Sequence, residues 1–486
     1  MNTQCTIFDD HLEIADIQAR FDSGETTPVE LVQFYLQKIA EHDHGEKGIN
    51  AVLELNPDAV FIAESLDARR RDGLPVGPLH GIPVLLKDNI DTGDRMHTSA
   101  GTYALRHSHA PRDAFIVAQL RRAGAIILGK VNLTEMANFM TRGMPNGYSS
   151  RGGQVLNPYG PGTLDVGGSS SGSAAAVAAN LATVAVGTET SGSILSPASQ
   201  NSLVGIKPTV GLVSRTGIIP ISHSQDTAGP LARSVADAAA LLGAMTGRDE
   251  DDPATWTSVD RGYTDYTQFL QPDALDGSRI GIARGEFFER LSEAELSLME
   301  RAINVMATCG AELVDPAPLN TGDTERKSPV LFYEFKSGLN AYLAKLGPGA
   351  PVRTLGELID YNSRHSQVTL KYGQSVLVKS DETSGTLTEP EYILGRERDL
   401  RSSRDEGIDL TMQRYDLDAL VFPGSYGASM PARAGYPSVS VPAGYAEDGK
   451  PLGVTFTGRA YSEPRLIALA FSFENATDYR IPPELS

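Results

Sequence analysis

Cysteine is almost absent from the 486 residues: Cys5 and Cys309 are the only two. Two cysteines cannot form a disulfide framework, and their spacing suits no zinc site, so a reducing compartment is the expectation. Basic residues are also short, 42 against 61 acidic ones, a net charge of −19. That deficit argues against a protein that wraps nucleic acid or sits on an anionic membrane, because both require a positive footprint. No apolar run is long enough to span a bilayer: the longest, AAAVAANLATVAVG at 174–187, is interrupted by Asn180 and Thr183. Asp9 and Asp10 stand where a secretory peptide needs basic residues followed by an apolar core. The expectation is a cytoplasmic protein without an export signal. With 41% hydrophobic and 21% charged residues the chain has enough apolar surface to fold, which excludes disorder.

Along the chain, Thr27-Pro28-Val29-Glu30 is a capping box with proline at the first helical position, followed by Leu31, Val32, Tyr35, Leu36 and Ile39 on one face. A second helix is predicted over Asn56–Arg71, its arginine-rich end solvated. Gly81–Leu86 reads as a buried strand that delivers Lys87 to its end. A helix over Asp113–Arg122 and a strand over Ala125–Gly129 follow, and the same alternation returns as strand Arg279–Ala283, helix Ser292–Cys309 and strand Ala311–Val314. This order predicts an α/β fold whose sheet is covered by helices on both faces. Residues 329–410 break the rhythm and read as a helical insertion, either a cap over the active site or core helices of the same domain. Asp249-Glu250-Asp251-Asp252 reads as a solvated loop.

The stretch GGSSSGSAAAVAANLATVAVGTETSGSILSPA, Gly167–Ala198, carries the chemistry. A flexible linker would not continue into an Ala-rich run that reads as a buried helix. A phosphate loop would need a Lys-Ser or Lys-Thr ending, which is missing. The third reading places a strand at Ala182–Gly187 and then a sharp turn, so that Ser193 projects while neighbouring N–H groups converge on an oxyanion. A serine hydroxyl needs a base within reach. None of the nine histidines has a recognised hydrolase spacing, GxSxG is absent around Ser193, and there is no HExxH or Cys/His cluster. His80 and His223 lie near these segments and read as structural hydrogen-bonding residues.

Taken together, PLHGIPVLLKDNID (78–91), AGAIILGKVNLTE (123–135), the Gly167–Ala198 block, GIKPTVGLVSR (205–215) and FTGRAYSE (456–463) resemble the amidase signature hydrolases. The motifs run in order from about Thr27 to the C-terminal region. The resemblance implies a single compact domain around a central mixed β-sheet, with residues 1–70 as a helical segment packed on the core and 71–486 as the signature domain. It also implies a Ser-Ser-Lys triad: Lys87 from LLKDN, Ser169 as the first serine of GGSSSGS and Ser193 from TSGSI, the two serines 24 residues apart. The Gly168–Ser169 peptide is then expected to be cis, and the backbone N–H groups of Thr190, Ser191, Gly192 and Ser193 to hold the oxyanion. Ser170, Ser171 and Ser173 are left with capping or hydrogen-bonding roles, and Lys207 and Asp226 read as structural supports.

The residues are compatible with that chemistry. A free lysine has a pKa of about 10.4, so roughly one in two thousand is neutral at pH 7; burial behind an apolar strand would lower it. Lys87 would take a proton from Ser169, which relays it from Ser193. No metal or organic cofactor is required.

The wording TETSGSILSPA and GIIPISHSQDTAGP is closest to the peptide amidase branch, which releases ammonia from C-terminal peptide amides. Ser191 departs from the acidic residue or glycine expected there, and Ser196 stands where malonamidase-like members carry an arginine. The alternatives are the A subunit of a glutamine-dependent tRNA amidotransferase and an amidase for small aliphatic or aryl amides. The expected partner is a small amide or short peptide amide, with no nucleic acid and no membrane, and the expected state is a monomer or homo-oligomer. The pocket walls are expected within 140–160 and 329–430.

Overall fold

The computed structural model describes residue 8 and residues 11–45, 47–320 and 328–485. Cys5, Asp9 and Asp10 lie outside the described residues. The strands are β1 (Val52–Leu55), β2 (Pro83–Lys87), β3 (Ile126–Val131), β4 (Tyr148–Ser149), β5 (Gly153–Gln154), β6 (Val184–Glu189), β7 (Val204–Lys207), β8 (Thr227–Ala232), β9 (Arg279–Ile282), β10 (Glu312–Val314), β11 (Ala419–Pro423), β12 (Ser438–Tyr445) and β13 (Pro451–Thr457). Eleven of them form one sheet in the order β1-β3-β2-β6-β8-β7-β12-β13-β11-β9-β10, while β4 and β5 make a separate hairpin. The sheet is mixed: β2 runs parallel to both β3 and β6, and β6 is antiparallel to β8. Helices flank it, as the alternation in the sequence predicted.

Local signals account for many of the element ends. Thr27 and Glu30 cap the helix Pro28–His42 reciprocally, and Ser292 and Glu295 do the same for Glu293–Thr308, each pair satisfying orphan amides of a first turn. The N-terminal helices bury Ile14, Ile17, Phe21, Leu31, Val32 and Tyr35 in the main core. Strand β6 extends two residues beyond the predicted Gly187, because Thr188 and Glu189 continue the ladder opposite Ala228 and Thr227 of β8. The turn after it is correspondingly tight.

The Ala-rich run forms the helix Ser171–Ala178, buried along its whole length. Its small residues are a packing requirement: a Cβ at Gly172 would lie 2.4 Å from the Asn132 carbonyl oxygen and 2.6 Å from that of Ala51. Any larger residue there would push the helix off the sheet and displace the serines at its start.

The 329–410 region is helical, with Val330–Ala344, Leu355–Arg364, Ser375–Asp381 and Pro390–Ser403. These helices do not join the main core. Phe335, Leu339, Leu343, Leu355, Leu358 and Leu377 build a second apolar cluster with Ala100, Leu105, Met136, Met140, Ile219 and Ile221. The loops that follow β2, β3 and β7 are thus covered by the insertion.

The acidic run departs from the solvated loop that its composition predicts. Asp249 and Asp252 are buried; Asp249 accepts from Ser214 Oγ, and Asp252 pairs with the Arg215 guanidinium at 2.6 and 2.8 Å. Glu250 and Asp251 remain exposed. Charge count alone does not distinguish a carboxylate facing a half-buried arginine from one facing water.

Candidate active site

The functional groups collect where β2, β6 and β8 meet. Because β2 and β6 are parallel, with Leu86 opposite Val186, the strands end side by side; β8 begins at the same edge, with Thr227 opposite Glu189. Ligand sites in sheets of this kind lie beyond the carboxyl ends of parallel strands.

Lys87 ends β2 and is fully buried. Its Nζ lies 2.8 Å from Ser169 Oγ, 2.8 Å from Thr188 Oγ1 and 3.2 Å from the Thr188 carbonyl oxygen. Burial brings its pKa down to about 7, against the opposing pull of the Asp226 and Glu189 charges.

Ser169 follows a cis Gly168–Ser169 peptide bond and is buried, its carbonyl oxygen accepting the Thr134 amide at 3.1 Å. The next serines are tied to β6 and to the helix start: Ser170 Oγ donates to the Thr188 carbonyl, Ser173 Oγ to that of Val186, and Ser171 Oγ to that of Gly167. These are the hydrogen-bonding roles read from the sequence. Ser193 stands in the turn after β6, its carbonyl accepting the Ser170 amide at 3.2 Å, so the two serine-bearing segments are joined by their backbones. Its neighbour Ser191 is exposed and lines a cavity, while Ser193 itself is 8% exposed.

Glu189 shapes that turn in a way the sequence did not disclose. Its carboxylate accepts from the Gly192 amide at 2.8 Å, the Ile194 amide at 2.7 Å and the Leu195 amide at 3.0 Å. A carboxylate buried at the end of a strand is compensated by three amides, which also locks the turn. Of the four expected oxyanion donors, the Gly192 amide donates to Glu189, whereas those of Thr190, Ser191 and Ser193 have no protein acceptor among the described residues.

Asp226 accepts from Thr190 Oγ1 at 2.5 Å and from the amides of Ile221 and Ser222 at 2.8 Å each; burial raises its pKa to about 6. Lys207 donates to the Tyr436 carbonyl at 2.5 Å. Lys207 meets only backbone carbonyls, whereas Asp226 also lines a cavity beside this centre and its charge reaches Lys87. His80 is buried with Nε2 against the Leu66 carbonyl, and His223 sits beside Glu334 at 3.4 Å. Neither touches Lys87, Ser169 or Ser193.

Two cavities adjoin this centre. One, of about 540 Å³, is bounded by Phe139, Met144, Ser191, Gln225, Leu331, Phe332, Val376 and Arg433. The other, of about 290 Å³, reaches Asn89, Thr188, Thr190, Asp226 and Ile219, with Tyr342 of the insertion opposite. Within the expected walls, 141–144, 331–332, 376 and 429 line the larger cavity and 338–346 the smaller, while Ser328 and Arg433 lie just outside the expected ranges and the 148–154 hairpin lines neither cavity. Gln225, buried and facing the larger cavity beside Ser191, carries no sequence signal beyond its place before Asp226. Among the described residues no group of three or more His, Cys, Asp or Glu side chains could hold a metal, and no helix is long and apolar enough to cross a membrane.

A family model described as amidase matches residues 30–433. The crystal structure of a peptide amidase from Stenotrophomonas maltophilia superposes with a TM-score of 0.93 at 48% identity, covering 98% of this chain and 99% of that one. A probable amidase from Arabidopsis thaliana is 42% identical over 97% of this chain and 91% of its own. The A subunit of the glutamyl-tRNA(Gln) amidotransferase from Halorhodospira halophila is 33% identical over 96% and 97%. Full-length similarity, the matching sheet and the signature motifs lead to one conclusion: the chain belongs to the amidase signature family and is an amidase.

Proposed function

We propose that this amidase hydrolyses C-terminal carboxamides of peptides, releasing ammonia, with Ser193 as nucleophile, Ser169 as proton relay and Lys87 as base. The observation that carries this reading is the contact between Lys87 Nζ and Ser169 Oγ at 2.8 Å, made by an amine whose pKa burial lowers to about 7. In the first step Lys87 takes the Ser169 hydroxyl proton while Ser169 takes that of Ser193. The Ser193 oxygen bonds to the amide carbon, and the carbonyl electron pair moves onto oxygen. The amides of Thr190, Ser191 and Ser193 hold that oxyanion. As the tetrahedral species collapses, the C–N bond breaks and the nitrogen receives the proton back through Ser169, leaving as ammonia. Water then attacks the acyl-enzyme by the same proton route, regenerating Ser193 and the carboxylate product.

The peptide preference is supported by the 48% identity to a peptide amidase and by the mixed apolar and polar wall of the 540 Å³ cavity, which suits a peptide better than a small aliphatic amide. The test is ammonia release from acetylated dipeptide amides, free amino-acid amides, fatty amides and aryl amides by the purified protein. Turnover fastest on the dipeptide amides supports the reading, and turnover confined to the others overturns it. The full-length 33% identity to one component of a tRNA amidotransferase keeps a second reading in view. It requires glutaminase activity that arises only with partner subunits present, whereas activity of the isolated protein on peptide amides excludes it.

A further inference from the structure

We infer that Asn89 is a positioning residue for Lys87: it fixes the Thr188 hydroxyl as one of three oxygens that receive the ammonium formed when Lys87 takes up a proton. The inference rests on the proposed role of Lys87 as base.

Asn89 lies just beyond the end of β2 and is 2% exposed. Its Nδ2 is 3.1 Å from Thr188 Oγ1 and 3.4 Å from the Ile219 carbonyl oxygen. A carbonyl can only accept, so the nitrogen end of the amide must face this pair, and Thr188 Oγ1 accepts from Asn89. An amide NH2 cannot accept in return. The Thr188 hydroxyl is therefore held by a donor on one side and keeps a lone pair for Lys87 on the other.

At Lys87 the count of hydrogens then closes. Ser169 Oγ, Thr188 Oγ1 and the Thr188 carbonyl oxygen surround Nζ at 2.8, 2.8 and 3.2 Å, three acceptors for the three N–H groups of an ammonium. A neutral amine has only two N–H groups, so the full set is used once the proton has arrived. Hydrogen bonds from a charged donor are roughly twice as strong as neutral ones, which offsets part of the cost of charging a buried amine. The two carboxylates whose charges reach Lys87, Glu189 on β6 and Asp226 before β8, make no hydrogen bond to it: Glu189 is occupied by the turn amides, and Asp226 by Thr190 and two amides. Thr188 is thus the one side chain besides Ser169 that can accept from Lys87 among the described residues, and Asn89 is what holds it. Asn89 lines the 290 Å³ cavity and its Oδ1 has no protein partner, so no second hydrogen bond to protein through that oxygen accounts for this buried amide.

The experiment is the pH profile of kcat/KM on an acetylated dipeptide amide for parent, Asn89→Leu, Asn89→Asp and Lys87→Ala. Asn89→Leu is expected to lower kcat about tenfold with KM within about twofold, and to move the acid limb to lower pH because the ammonium loses a fixed acceptor. Asn89→Asp is expected to move that limb to higher pH by adding negative charge beside the amine. An acid limb in Asn89→Leu that coincides with the parent's overturns the inference. Should Asn89→Leu not fold, Thr188→Val and Thr188→Ser decide: the first must shift the limb down and the second, which keeps the hydroxyl, must not; equal profiles overturn it. An active Lys87→Ala defeats the proposed role of Lys87 itself, whereas an inactive Lys87→Ala beside an unshifted Asn89→Leu defeats only the role of Asn89.

Discussion

Lys87 and Lys207 make an instructive pair. Each is the last residue of a strand, β2 and β7, and each is fully buried. Burial lowers both, Lys87 to about 7 and Lys207 to about 8. What differs is the company of the amine. Lys87 meets two hydroxyls, one of them on Ser169, whereas Lys207 meets the carbonyls of Tyr436 and Pro431. A hydroxyl can pass a proton on; a carbonyl can only accept a hydrogen bond. Desolvation makes a lysine able to act as a base, and the adjoining group decides whether it has anything to act on.

The contrast can be broken at its strongest point first. Ser193→Ala is expected to lower kcat by at least about 10⁴-fold with the fold retained, since binding and oxyanion donors survive without the nucleophile; near-parent turnover would remove the whole proposal. Lys87→Ala should cost about 10³-fold. Lys207→Met should cost less than about tenfold in kcat/KM while destabilising the fold by about 1–3 kcal/mol in urea unfolding, because buried carbonyls lose their donor. Similar kinetic losses at both lysines would erase the distinction between them.

The pH dependence sharpens the same comparison. In its proposed role as base Lys87 has to be neutral, so kcat/KM should fall about tenfold per pH unit below about 7 and hold above it, and Lys207→Met should leave that limb in place. Stability follows the same amine: a lysine with a depressed folded pKa leaves the unfolded chain binding more protons between about 7 and the ordinary lysine value, so its contribution to stability rises with pH across that window. Smaller effects belong to the cavity wall. Phe332→Ala should raise KM for dipeptide amides about fivefold with kcat changed less, the loss of one apolar contact. Ser191→Gly should change kcat/KM by no more than about threefold, since its side chain is exposed at the cavity and its amide is retained.

Much of this site was legible in the chain because it is built from local signals. The apolar run into Lys87, the small residues of Gly167–Ala198 and the capping boxes at Thr27 and Ser292 each act over a few residues, and the signature motifs name the serines and the lysine in order. Signals that depend on distant partners were not legible. The capture of the Gly192 amide by Glu189 depended on β6 running two residues further than its apolar pattern suggested. Asp249 and Asp252 were buried by serine and arginine groups more than thirty residues away. Thr188 and Asn89 carry no residue-type signature; their importance comes from where Nζ of Lys87 ends.

The amino-acid order by itself determined the family, the strand that carries Lys87 and which two serines are proposed to act with it, since motif spacing and hydrophobic run length are properties of contiguous chain. Only the tertiary structure decided that the Lys87 amine faces hydroxyls while that of Lys207 faces carbonyls, which turn amides remain open, and that residues 138–144 meet 328–332 across one cavity. Those outcomes depend on packing between segments far apart in the chain, where hydrogen-bond partners and solvent exclusion are set by three-dimensional contact rather than by neighbours in sequence.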